Sequence, residues 1–273
     1  MRIYSLTKVL VLPVFVALAT AVYFQFVRNM DMGYLILGLV GLLVVMYISL
    51  PFVDHWYLKK NPIPLDQPII DWLQRYSPFY NSLNDVQKEK YHNRMSLYMD
   101  IRLFNSVGSE QKNLPADIKG IIASNAIQIG FKSNDYLIGD FDRIFVYKHP
   151  FPTPKYQFLH SVETQLEDGV IIYSLEHLIP GMINTDMYYN IGMHGYVEAF
   201  LKTNKTLNYP EINASWEQIE AICGLKQKLV KSTLGFETVD LRTVMITCYF
   251  TYPDAFGKQL PNIKSQLDLI FKE

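Results

Sequence analysis

The chain has 273 residues, 49% of them hydrophobic and 14% aromatic, with a formal net charge of −1; this suits one folded domain plus an apolar segment and excludes a disordered chain. Arg2, Lys8, Arg28 and Asp31 carry the only charges before Asp54, so 22 of the 25 basic and 25 of the 26 acidic residues lie from Asp54 onward. That slightly acidic remainder excludes a nucleic-acid partner, and two cysteines, Cys223 and Cys248, are too few for a disulfide framework, fit a reducing compartment and read as small core residues.

No residue between Lys8 and Arg28 is charged, and the run 9–27 is close to the roughly 20 residues that cross a bilayer as a helix. A second uncharged run, 32–53, contains Gly33, Gly38 and Gly41, small residues of the kind that let transmembrane helices approach. Only Arg28-Asn-Met-Asp31 separates the two, which predicts an antiparallel transmembrane hairpin over 1–53. Its outer flanks carry Arg2 and Lys8 at one end and Lys59 and Lys60 at the other, so the positive-inside rule puts both ends, and the following domain, on the cytoplasmic side of the inner or cell membrane. A competing reading is a cleaved signal peptide, since Ala19-Thr-Ala21 resembles a cleavage site; a second span following at once makes the hairpin the simpler account. Asn213-Ala-Ser215 would accept a glycan in a secreted protein and is idle in a cytoplasmic one. Two spans without an internal charge serve a transporter or channel poorly.

Pro62, Pro64 and Pro68 predict an extended linker over 54–78, with Trp56 and Tyr57 in the interfacial belt at its start. From 79 to 273 the pattern is that of a mostly helical α+β domain. A helix is expected over 84–104, with Tyr91, Met95, Tyr98 and Ile101 on one face, and another from Pro115 to Gly130. Arg143-Ile-Phe-Val-Tyr147 and Val170-Ile-Ile-Tyr173 read as short strands, the second after an Asp168-Gly169 turn. Ser174 caps a short helix ending at Pro180-Gly181, a central helix runs from about Asn190 to Thr203, and further helices are expected over 215–231, 238–251 and 253–271.

The chemistry-bearing stretch is Asn190-Ile-Gly-Met-His194-Gly195-Tyr-Val-Glu198. A helix sets residues four apart on one face, so His194 and Glu198 stand side by side. In a His-Glu-x-x-His zinc site the glutamate between two histidines activates water; here Gly195 holds the glutamate position and Glu198 that of the second histidine. His149, His160 and His177 show no ligand spacing and read as surface or structural, and no Ser-His-Asp or Cys-His set emerges from spacing.

Phe79-Tyr-Asn81-Ser-Leu83, Asp142-Arg-Ile-Phe-Val-Tyr147-Lys-His-Pro150-Phe, Gly169-Val-Ile-Ile-Tyr-Ser174-Leu175 and Asn190-Ile-Gly-Met-His194 occur in an order and spacing that resembles the MtfA (Mlc titration factor A) family, zinc-dependent peptidases of the gluzincin type. The resemblance covers about 79–271 and implies a zincin-like fold. In that family two histidines and a later glutamate bind zinc, the glutamate in a helix ending in an aromatic pair before a proline. Tyr249-Phe250-Thr-Tyr-Pro253 resembles that ending and makes Asp240 the counterpart of the ligand glutamate; an upstream tyrosine of the family has no counterpart, Thr233 and Phe236 being nearest.

Glycine takes no proton from a metal-bound water, and removing a general base typically costs about 10² to 10⁴ in rate. The expectation is therefore a membrane-anchored pseudopeptidase that binds a protein or peptide partner, with no catalytic residue and no cofactor, or only a weakly held divalent metal. The alternative is a divergent metallopeptidase in which His194, Glu198 and Asp240 form a one-histidine, two-carboxylate metal set, which shifts preference from zinc toward harder metals. Gly195→Glu alone is expected to create no peptidase, Gly195→Glu with Glu198→His to restore zinc binding, and loss of a mid-helix glycine to add a little stability.

Overall fold

The computed structural model describes residues 6–272 apart from 109–112, 135, 140 and 213, so Arg2 and the glycan-type Asn213 lie outside the described residues. The chain divides into two units, Met1–Ile63 and Pro64–Glu273.

The first unit consists of α1 (Leu6–Val27) and α2 (Gly33–Lys60), which pack against each other. The turn between them uses Asn29 at φ 52°, a left-handed conformation that asparagine tolerates, and the Met32 amide donates to Gln25 Oε1 at 2.6 Å. Val9–Val27 is long and apolar enough to cross a membrane; α2 qualifies only if Gly33–Ser49 and Phe52–Lys60, bent by 55°, count as one span. Pro51, which has no amide to donate, stands at that bend.

The second unit is α+β and mostly helical. The stretch expected to be an extended linker is largely helical instead: α2 continues to Lys60, and α3 (Gln67–Tyr76) begins beyond 61–66. Pro68 sits in the first turn of α3, where a missing amide costs nothing, and Ile69 and Leu73 are buried one turn apart. Ser77 caps α4 (Pro78–Asn81), and an Asn84–Gln87 capping box opens α5 (Asp85–Ile101), whose Tyr91, Met95 and Tyr98 are buried as the spacing predicts. The helix expected to reach 104 stops at Ile101, and Leu103–Val107 form strand β1.

After β1 come α6 (Ala116–Ile129), β2 (Arg143–Tyr147), β3 (Val162–Gln165) and β4 (Val170–Ser174). The sheet order is β1-β2-β4-β3, with β1, β2 and β4 parallel and β3 an antiparallel edge. Successive strand residues face opposite sides. Phe145, Tyr147, Val170 and Ile172 gather with Phe151 on one face, and Tyr173 points to the other. There lies α8 (Ile191–Thr203), which follows α7 (Leu175–Ile183) and buries nine of its 13 residues; it is the core helix, touching α6, α7, β3, β4 and α11.

The expected 215–231 helix is two, α9 (Trp216–Cys223) and α10 (Gln227–Leu234), because Gly224 at φ 73° ends the first. Asp240 precedes α11 (Leu241–Thr251) as its N-cap rather than lying inside a 238–251 helix. The 253–271 helix is likewise two, α12 (Pro253–Gln259) and α13 (Pro261–Lys272), broken at Leu260 before Pro261.

Candidate functional site

Asn190 starts α8 by accepting from the Met193 amide at 2.9 Å, which turns His194 inward. His194 is 7% exposed, and its Nδ1 lies 2.8 Å from the Tyr189 hydroxyl. Burial pushes the imidazole down to a pKa of about 4, with Lys202 acting in the same direction and the Glu198 and Asp240 carboxylates against it. The ring is therefore neutral at neutral pH.

One turn on, Glu198 Oε1 is 2.8 Å from Lys202 Nζ. The same ammonium donates to Thr164 O at 2.8 Å and Thr164 Oγ1 at 2.6 Å, tying α8 to the edge strand. Asp240 accepts from the Arg242 and Thr243 amides at 3.1 and 3.3 Å and from the Thr243 hydroxyl at 2.7 Å. His194, Glu198 and Asp240 line one cavity of about 330 Å³, together with β3 residues and the rings of Tyr156 and Phe236. They share a cavity, yet Glu198 serves an ion pair and Asp240 a helix terminus. Among the described residues no three His, Cys, Asp or Glu side chains form a group that could hold a metal ion. As arranged, the donor set does not fit a resident metal unless Lys202 and the α11 cap release their carboxylates.

Gly195 faces Tyr173. A β-carbon there would stand 2.6 Å from the Tyr173 hydroxyl oxygen and 2.8 and 2.9 Å from its Cε1 and Cζ. The Tyr173 hydroxyl donates to Gly192 O at 3.1 Å, which fixes the ring across the helix. The space a side chain at 195 would enter is therefore filled by the end of β4. A side chain at 195 must displace that ring, which opposes the expected stability gain from replacing this glycine.

Other expectations shift in detail. Ser174 stands at the N-cap of α7, but its hydroxyl is buried and makes no cap bond, and it has no hydrogen-bond partner among the described residues. His160 is buried, with Nε2 3.0 Å from Glu163 Oε2 and Nδ1 3.0 Å from Phe158 O. A carbonyl only accepts, so Nδ1 is the donor to Phe158 O. Phe151, Tyr156 and Phe236 surround the ring at 4.6, 5.6 and 5.3 Å. Sequence spacing missed this pair, because residues three apart lie on opposite faces of a regular strand and only the irregular lead-in to β3 brings them together. His177 Nδ1 meets Ser161 Oγ at 2.9 Å, and His149 pairs with Glu176 at 2.6 Å on the surface. Cys223 and Cys248 are both free and buried, as small core residues are.

No family model matches this sequence, and no curated protein matches it.

Proposed function

We propose that the protein is a membrane-anchored pseudopeptidase, its second unit a zincin-like domain of the MtfA type whose cavity binds a protein or peptide partner. The observation that carries this reading is Gly195 under the Tyr173 ring. A peptidase of the His-Glu-x-x-His kind needs a carboxylate at that position, and here the place is taken by an uncharged phenol bonded to the helix backbone. The contacts of α8 with β3, β4 and α11 accord with the expected packing of a His194 helix beneath a small sheet and beside the Asp240 helix.

In this reading α1 and α2 form a transmembrane hairpin with both ends cytoplasmic, supported by the apolar Val9–Val27 run and by Lys59 and Lys60 in the last turn of α2. The second reading, a divergent metallopeptidase using His194, Glu198 and Asp240, draws support from their common cavity, but it requires two carboxylates to leave their present partners.

Metal analysis of the full-length protein purified in detergent, with a peptide-cleavage assay beside it, separates the two. The expected result is substoichiometric metal and no chelator-sensitive cleavage. One bound zinc per molecule, with cleavage that a chelator abolishes, would overturn the pseudopeptidase.

A further inference from the structure

The cavity of about 330 Å³ beside α8 mixes two kinds of lining. Leu201, Leu234 and Val239 give it apolar walls beside the Tyr156 and Phe236 rings, and His194, Glu198 and Asp240 give it polar groups. Each of these three polar side chains keeps an atom spare. His194, only 7% exposed, has Nδ1 at the Tyr189 hydroxyl and no partner for Nε2 among the described residues. Glu198 gives Oε1 to Lys202, and its Oε2 has no partner among them either. Asp240 Oδ1 accepts one amide, that of Arg242, and a carboxylate oxygen has room for a second donor.

Charge says what kind of group would use those atoms. With Glu163, the lining carries three carboxylates against the ammoniums of Lys202 and Lys205, a formal excess of negative charge. Lys202 is committed elsewhere, since its donors go to Glu198 Oε1, Thr164 O and Thr164 Oγ1. Lys205 is exposed, where water and salt screen it. The occupant such a lining attracts is a cation. Shape narrows the choice. Among the described residues no three His, Cys, Asp or Glu side chains converge closely enough to hold an ion, and an ammonium is a similarly compact charge. A guanidinium spreads its donors along a planar fork, so it reaches separated acceptors that one point cannot serve. Its flat face stacks on aromatic rings, of which the cavity has two, and the methylenes behind it cover apolar wall. In the tautomer that puts hydrogen on Nδ1, His194 Nε2 is a further acceptor for it.

We propose that this cavity is a binding site for the guanidinium of an arginine side chain on a peptide partner, held by Glu198 Oε2 and Asp240 Oδ1 with His194 Nε2 as a third acceptor. This rests on the binding-module reading above and adds the chemistry of the residue that is read.

The test uses the full-length protein in detergent micelles and fluorescein-labelled octapeptides of Ser, Gly and Ala with both ends blocked, read by fluorescence polarisation. Their central residue is Arg, Lys or citrulline, the last keeping the shape of arginine without its charge. The Arg peptide should bind about tenfold more tightly than the citrulline peptide, the scale of one charge-assisted hydrogen bond, and more tightly than the Lys peptide. Glu198→Gln should lower that preference. So should Asp240→Asn, which keeps the cap of α11 and serves if Glu198→Gln fails to fold. Lys205→Met, which removes a like charge from the wall, should raise it. Equal binding of the Arg and citrulline peptides, a Lys peptide bound as tightly as the Arg peptide, or a preference unchanged in both carboxylate variants would overturn the guanidinium site. Failure of every peptide to bind would overturn it too. The pseudopeptidase reading fails separately, on stoichiometric zinc with chelator-sensitive cleavage.

Discussion

Tyr173 is held at one end by β4 and at the other by its bond to Gly192 O, so its ring has little freedom to give way to a side chain at 195. Gly195→Ala gains roughly 1 kcal/mol of helix propensity but forces an overpacked contact of the kind that costs about 1–3 kcal/mol. We expect a net loss in urea denaturation of the full-length protein, and a double variant with Tyr173→Leu that loses less than the two single changes added together. A Gly195→Ala protein more stable than its parent would show that the ring yields. The expected two-residue restoration of a zinc site meets the same contact, since Gly195→Glu must first clear Tyr173. His194 offers a second test at this scale. Its pKa in the folded protein is about 4, against 6.5 for an ordinary histidine, so between those values the unfolded state takes up a proton that the folded state refuses. The stability tied to it is complete above pH 6.5 and is lost as the pH falls to 4, on the order of 3 kcal/mol. His194→Gln keeps a polar group beside Tyr189 and does not titrate, so its stability deficit relative to the parent should shrink by that amount between pH 7.5 and 4. A deficit constant with pH would mean that His194 titrates normally in the fold.

At the scale of elements, Asp240 distinguishes a helix cap from a metal ligand. Its carboxylate satisfies two otherwise orphaned amides of α11, so Asp240→Ala should cost about 1 kcal/mol while Asp240→Asn or Asp240→Ser costs little. Thermal melting of the three variants checks this, and equal loss in all three would show that the charge, rather than the cap, is what the site needs. The same residue shows how far the sequence carries. α5 is legible because its buried Tyr91, Met95 and Tyr98 recur every three to four residues, α8 because its run is apolar nearly all round, and β2 and β4 because β-branched runs stand between turns. β1 is not: Leu-Phe-Asn-Ser-Val mixes an exposed Leu103 with a buried Phe104 and continues no pattern, and only pairing with β2 makes it a strand. The splits at Gly224 and Pro261 are local breaks whose residues were visible. His194, Glu198 and Asp240 do share a cavity, but Lys202 and Tyr173, which decide what that cavity can do, act through long-range contacts to Thr164 and Gly195 that no spacing rule reports.

For the whole molecule the decisive question is which side of a membrane each segment occupies, and the charge pattern makes a definite prediction. Arg2, Lys8, Lys59 and Lys60 flank the two apolar runs on their outer ends, while the connection 28–31 carries one basic and one acidic residue. Basic residues resist translocation, so this pattern predicts that both outer ends stay in the cytoplasm and that the short connection crosses. A cleaved signal peptide would instead leave residues after Ala21 on the far side with α1 removed. Single cysteines at Arg2→Cys and Met30→Cys report on the two ends of this choice, and the native Cys223 and Cys248 are buried, which keeps their background low. With a membrane-impermeant maleimide on intact cells, Met30→Cys should label and Arg2→Cys should label only after lysis. Lys59→Cys should behave as Arg2→Cys does, since in the proposed hairpin α2 returns across the bilayer. Labelling of Lys59→Cys from outside, or loss of the residue 2 cysteine from the mature protein, would exclude the hairpin and place the second unit, with its cavity, outside the cytoplasm.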